Sequence, residues 1–156
     1  MDIQKVSQDD LESITHLVLD VAKIDVFPHF NEKGQAEFKT RVLPDLNTIL
    51  TEPNYLSVKA AISGEIVGVA ALRNADYLTH LFVSKSCQGK GIGKALLNYL
   101  VTETKAQQVS LRSSINAVSF YESLGFECTA EEGDYNGIRF VPMTLDLQNS
   151  RNIKTG

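Results

Sequence analysis

Residues 77–100 read YLTHLFVSKSCQGKGIGKALLNYL, and the reading of this stretch constrains everything around it. An apolar, aromatic and β-branched run from Leu78 to Val83 predicts a strand from Tyr77 to Val83. It is followed by Gln88-Gly89-Lys90-Gly91-Ile92-Gly93-Lys94, then by a segment whose Leu96, Leu97, Leu100 and Val101 share one helical face. The order is strand, glycine-rich loop, helix. A loop of this kind leaves the N–H groups of the helix's first turn unpaired, and with the helix dipole they favour an anion, usually a phosphate. Glycines at 89, 91 and 93 let the backbone approach a ligand closely and take φ values that a β-carbon forbids.

Two common phosphate loops do not fit. A Walker A loop would place a glycine at Gln88 and a Ser or Thr at Ala95, and the dinucleotide fingerprint would place its third glycine at Lys94. The stretch instead resembles the acetyl-CoA-binding motif of the GNAT superfamily of N-acetyltransferases, Gln/Arg-x-x-Gly-x-Gly/Ala after a strand ending in Val. Here that motif is Gln88-Gly89-Lys90-Gly91-Ile92-Gly93, following Leu81-Phe82-Val83. A second stretch, Asn116-Ala117-Val118-Ser119-Phe120-Tyr121-Glu122-Ser123-Leu124-Gly125-Phe126, resembles the family's later helix with its Asn, its Tyr and its Leu-Gly-Phe ending. The resemblance spans residues 65–126, and the N-terminal third adds a compatible pattern.

That resemblance implies acetyl-CoA as co-substrate. The residues from Gln88 to Lys94 would hold its pyrophosphate, and the backbone of Leu81, Phe82 and Val83 would meet its pantetheine arm as a peptide adds to a sheet edge. Asn116 would bond the same arm, and Tyr121 would be the general acid near the thioester sulfur. The implied fold is α/β (α+β): a mixed, mostly antiparallel sheet of six to seven strands, about four helices on both faces, and a splayed central strand pair. A homodimer is a further expectation from the family.

The residues read in order agree with that architecture. Ser7 and Asp10 form a capping-box pattern before a helical face of Leu11, Ile14, Leu17, Val18 and Val21. A second helix, Gln35 to Leu50, is expected to end or kink near Leu43 because of Pro44. Tyr55 to Ile62 and Glu65 to Leu72 read as strands joined by a two-residue turn at Ser63-Gly64. After the third helix, Gln108 to Arg112 is a short strand and Asn116 to Leu124 a short helix. Phe126 to Ala130 and Ile138 to Leu147 then form a hairpin across Asn136-Gly137, with Pro142 at a bulge or an edge. The expected order is β-α-α-β-β-β-α-β-α-β-β.

Composition narrows the class. A chain of 156 residues suits a single domain, here residues 1–148, with a frayed tail over 149–156. Neither a membrane-spanning run nor a basic leader is present in the sequence, and a cytoplasmic protein is expected. The net charge of −4 argues against nucleic acid as the main partner. Residues 85–94 nevertheless carry three lysines and no acid, a local anion site on an acidic chain, a combination that would suit a phosphorylated cofactor and a cationic acceptor. Cys87 and Cys128 make no bridge framework, and the scattered histidines show no metal spacing.

The acceptor chemistry is less legible. Phe27 and Phe30, around Pro28, either roof an acceptor pocket or plug the core beneath their loop. An alkyl amine, with a pKa of about 10.4, must lose a proton before it attacks a thioester. Strand alternation would put Tyr77, Thr79 and Leu81 on one face and Leu78, His80 and Phe82 on the other. Family members often place a carboxylate or histidine where Tyr77 or Thr79 stands, so a water relay held by Thr79, Tyr77 or the Ser113-Ser114 pair is expected here. His80 has a suitable pKa for a base but is expected on the wrong face, as a hydrogen-bonded structural residue. The leading function is direct acetyl transfer from acetyl-CoA to a small-molecule or peptide amine. A non-catalytic acyl-CoA-binding module is the alternative, and a generic nucleotide-binding protein a distant third. Polyamines, amino acids, aminoglycosides and peptide amines are not ranked by composition.

Overall fold

The three strongest strand signals form a meander: β2 (Tyr55–Ile62), β3 (Glu65–Arg73) and β4 (Tyr77–Val83) pair antiparallel in chain order. These come from a computed structural model, which describes residues 1–148 apart from Asn136; Asn136 and residues 149–156, where a frayed end is expected from the sequence, lie outside the described residues. Ser63 and Gly64 both take positive φ (52° and 81°), the primed turn whose twist matches a tight hairpin. An edge strand, β1 (Asp2–Lys5), flanks β2. On the other side β5 (Gln108–Ser113) joins β4 in parallel and β8 (Ile138–Asp146) joins β5 antiparallel. Two short strands, β6 (Glu127–Cys128) and β7 (Gly133–Tyr135), pair with successive parts of β8.

The sheet therefore has eight strands in the order β1-β2-β3-β4-β5-β8-β6, with β7 on β8, instead of six to seven. The extra one arises because the run before Ile138 is a brief strand where a loop was expected. Pro142 explains the division. Its carbonyl faces β6, accepting from Thr129 N–H at 3.0 Å. Its missing N–H therefore falls in the gap between the β6 and β7 pairings and costs β5 no bond.

Helices cover both faces. The Ser7–Asp10 capping box is formed, with Asp10 accepting from Ser7 N–H at 2.9 Å, and leads into α1 (Leu11–Asp25). With α2 (Glu32–Thr51), α1 buries Ile14, Val18, Val21, Leu46 and Ile49 against Val69 and Ala71. On the opposite face α3 (Ile92–Glu103) and α4 (Val118–Ser123) bury Leu96, Leu97, Leu100 and Tyr121 against Val58, Ala70, Leu111 and Met143. Gly68 lets α3 lie close to β3, since a β-carbon there would come within 2.9 Å of Leu96 Cδ1 and 3.2 Å of Ile92 Cγ2.

Pro44 does not end α2, contrary to expectation. One intrahelical bond is forfeited, to the carbonyl of Thr40, an exposed residue at which solvent can stand in for the lost donor. Leu46 and Ile49, buried just beyond the proline, hold the helix on the core. No helix among the described residues is long and apolar enough to cross a membrane.

Leu97 is fully buried between α3 and the sheet. Leu97→Ala is expected to lower the unfolding free energy by about 2–5 kcal/mol in urea titration, against no more than about 0.5 kcal/mol for the exposed Leu43→Ala.

Candidate active site

The site begins where two central strands part. β4 and β5 pair only at Tyr77–Ser110 and Leu78–Leu111, and beyond these residues they diverge. At the same level β4 carries a bulge. Ala71 of β3 faces His80 while Leu72 faces Leu78, so Thr79 is an extra residue without a partner. The bulge resets the alternation: Leu78, Leu81 and Val83 pack toward α3, whereas Phe82 packs with Val69 and Ala71 on the α1 and α2 face. His80 stands beside Phe82, their ring centroids 6.4 Å apart. Leu78 thus shares its face with Leu81 and is separated from His80, a correction to the simple period-two reading.

The gap opens into a cleft of about 970 Å³, near the upper end of the range of about 300–1,000 Å³ usual for small-molecule sites. Of the residues expected at the site, Phe30, Thr79, His80, Leu81, Phe82, Val83, Gln88, Gly89, Gly91, Ile92, Gly93, Lys94, Asn116 and Tyr121 line it. Four do not. Lys90 is exposed on the loop, and Phe27 packs edge-on against Phe38 at 5.5 Å. Tyr77 lies under the Arg73 guanidinium at 4.9 Å, on the paired side of the bulge. Ser113 is buried, its hydroxyl donating to Ser114 O at 2.7 Å. Phe30 reaches the cleft because the Gln35 amide donates to Phe27 O (3.0 Å) and Phe30 O (3.3 Å), tying the corner to α2.

At the glycine loop, Gly91 caps α3 and the helical ladder starts with Ala95 N–H on Gly91 O at 3.0 Å, leaving the preceding amides as the first turn's open donors. Gly89 and Gly91 take φ of +80° and +79°. A β-carbon at either would meet nothing within 4 Å, so conformation and not crowding requires glycine. The geometry fits an anion held by backbone donors.

The sequence reading missed how this loop is tied to α1. Lys85 Nζ lies 2.8 Å from Asp25 Oδ1 and donates to Gln88 Oε1 at 3.0 Å, while the Gln88 amide donates to Val83 O at 3.2 Å. The Asn116 amide donates to the backbone oxygen of the same Asp25 at 3.3 Å. Lys85 is thus neutralised by an acid 60 positions earlier, which no local charge count could show. Arg41, Arg112, Tyr135, Arg139 and Phe140 also line the cleft and carried no sequence motif.

Two titratable groups in the cleft, the buried Tyr121 and the half-buried His80, are shifted by their surroundings. Tyr121 is packed between the rings of Phe120 (5.2 Å) and Phe126 (5.5 Å), and burial raises its pKa, keeping it a phenol. Burial lowers His80 to about 4, so its imidazole is neutral at physiological pH. Thr79 Oγ1 donates to Ala71 O (3.4 Å) and lies 2.7 Å from His80 Nδ1. In the tautomer with the proton on Nδ1, that N–H donates to the Thr79 hydroxyl and Nε2 is left with the lone pair.

Residues 26–147 match the acetyltransferase (GNAT) domain. The chain belongs to the GNAT acetyltransferase family. Solved structures of similar fold include the GCN5-related N-acetyltransferase of Rhodopseudomonas palustris, with a TM-score of 0.81 at 19% identity, covering 94% of this chain and 95% of that one. The PaiA N-acetyltransferase of Thermoplasma acidophilum, solved with coenzyme A, has a TM-score of 0.75 at 19% identity over 93% of this chain and 98% of that one. The aminoglycoside 6'-N-acetyltransferase of Enterococcus faecium has a TM-score of 0.70 at 14% identity, covering 94% and 97%. Comparison with curated proteins by sequence finds no match. The splayed strands, the glycine loop and helices on both faces agree with the GNAT fold expected from the two motifs.

Neutral burial of His80 makes stability depend on pH. The unfolded imidazole titrates near 6.5 and the folded one near 4, so between these values the unfolded chain binds more protons. His80's contribution is complete above pH 6.5 and is lost as the pH falls toward 4, by up to about 3 kcal/mol. His80→Gln is expected to flatten this part of the stability profile, read as urea midpoints from pH 7 to pH 4.

Proposed function

We propose that this protein is an acetyl-CoA-dependent N-acetyltransferase that moves the acetyl group directly to a primary amine in a ternary complex. The observation that carries the reading is the continuous cleft from the Gly89–Gly93 amides, between the parted β4 and β5, to Tyr121 on one face of the sheet and His80 on the other. The unpaired end of β4 suits an amide-rich pantetheine arm. The loop suits a pyrophosphate, and Asn116, once freed from Asp25, can bond the arm. This alignment brings the thioester to the level of the bulge.

In the reaction the amine nitrogen forms a bond to the thioester carbon, the C–S bond breaks, and the nitrogen loses a proton. His80 Nε2 accepts a hydrogen bond from the amine or an intervening water and orients the nitrogen lone pair. Its low basicity means that the site selects amine that is already neutral, and the proton departs through water. Tyr121 donates to the departing sulfur as charge develops there and supplies its proton as the thiol, of pKa about 8.5, leaves; the proton that the nitrogen releases through water balances this one and restores the phenol. Of the residues expected to hold a relay water, Thr79 keeps a part through His80. Tyr77 and Ser113 stand outside the cleft and are left out of the mechanism, whereas Ser114 lines it with its hydroxyl donating to Asn116 Oδ1 at 2.8 Å. A non-catalytic acyl-CoA-binding module is the competing reading, favoured by the same weak basicity of His80.

Isothermal titration is expected to show micromolar binding of acetyl-CoA and CoA, with none for ATP or NAD. Tyr121→Phe is expected to retain that binding and lose on the order of 10²-fold in kcat. Full kcat in Tyr121→Phe removes the assigned acid, and binding without transfer to any amine favours the non-catalytic module. In the wild type, kcat/KM is expected to climb steadily with pH up to the acceptor amine's own pKa. An inflection near 6.5 in that profile would mean that His80 is an ordinary, hydrated base.

A further inference from the structure

The cleft is charged in a way the chain as a whole is not. Of the five arginines, Arg41, Arg112 and Arg139 line it, while of nineteen Asp and Glu residues only Asp25 does, and Lys85 holds its carboxylate. Arg139 is gripped by Glu132 through two bonds of 2.8 and 2.9 Å, and Arg41 has Glu37 at 3.6 Å. Arg112 differs from both. Among the described residues no carboxylate pairs with it, and its guanidinium lies over the Phe140 ring, 4.3 Å from the centroid.

Its place in the sheet matters as much as its charge. Arg112 follows Leu111, the last β5 residue that pairs with β4, and so stands where the strands part. Its neighbours Leu111 and Ser113 are both buried, Leu111 in the α3 and α4 core, so alternation turns Arg112 to the opposite face, that of α1, α2 and His80. Stacking on an aromatic ring fixes the plane of a guanidinium while leaving its N–H edge free, and that edge matches a carboxylate with two parallel hydrogen bonds. A polyamine or aminoglycoside in the same place would meet cations and no free acid.

We infer that Arg112 determines acceptor specificity and that the acceptor is a small amine bearing a carboxylate, the chemistry of a free amino acid. Its carboxylate docks on Arg112 and its amine points to the parted strands beside His80. The inference rests on the acetyltransferase reading for its reaction, but the carboxylate site can be measured without turnover. It replaces the expectation of a cationic acceptor drawn from net charge, because the acids that make the chain negative lie outside the cleft.

The test pairs the common L-amino acids with their carboxamides, adds spermidine and an aminoglycoside as cationic acceptors, and uses the full chain with acetyl-CoA. Calorimetry of the same compounds, with and without CoA, runs in parallel. The expected result is transfer to one or a few amino acids with their carboxamides poor, and a KM for the amino acid raised at least about tenfold in Arg112→Gln with acetyl-CoA affinity kept. Arg112→Lys, which keeps the charge and loses the fork, should fall between. Arg112-dependent binding of amino acids without transfer would uphold the carboxylate site and bring down the transferase reading. Transfer to spermidine or the aminoglycoside unaltered by Arg112→Gln would do the reverse. Absence of any Arg112-dependent amino-acid binding overturns the inference, whether or not acetyl transfer is seen.

Discussion

The structure turns on the parting of two parallel strands in the middle of a sheet. Backbone donors and acceptors in a sheet interior need partners, and the β4–β5 ladder supplies them for only two residue pairs. From there β4 has an open edge inside the molecule, a position that natural sheets normally cover. The remaining elements make the gap tolerable: β3 and β8 hold the outer edges of β4 and β5 along most of their length, and α3 packs closely over β3 because Gly68 has no side chain. An extended, amide-bearing ligand is the natural partner for such an edge, which is why a pantetheine arm suits it.

Around the gap, charge and dryness are separated. The glycine loop presents backbone donors, and Lys85, the lysine next to β4, is paired with Asp25. That pair and the Asn116 bond to the same residue fasten the end of α1 to the segment after β4 and to Asn116 beside the cleft. Tyr121 and His80, one on each face of the sheet, are held in their neutral forms by desolvation. A proton donor that stays protonated and a ring that stays uncharged suit a reaction whose nucleophile is a neutral amine. Arg112 lies on the His80 face of the sheet, the side from which the proposed acceptor would come.

Local patterns carried most of the architecture. Residues 77–83 and 55–62 were readable as strands to the residue, because β-branched and aromatic runs bounded by turn residues have few other solutions. Pro44 misled because its cost is local and small at an exposed turn of the helix, whereas the buried Leu46 and Ile49 keep the helix going. The strand pairing with Gly133–Tyr135 was missed because three residues are too short to show a period.

By itself the sequence determined the glycine loop, the order of elements and the Tyr121 helix, since each depends on residues close together along the chain. Only the tertiary structure decided which side chains share the cleft. The Thr79 bulge depends on the register between β3 and β4, and it resets the faces on which Leu78 and His80 stand. The Asp25–Lys85 pair and the stacking of Arg112 on Phe140 join residues 60 and 28 positions apart. Periodicity reports on a single element, whereas charge pairing and acceptor chemistry arise between elements, where sequence distance carries no information.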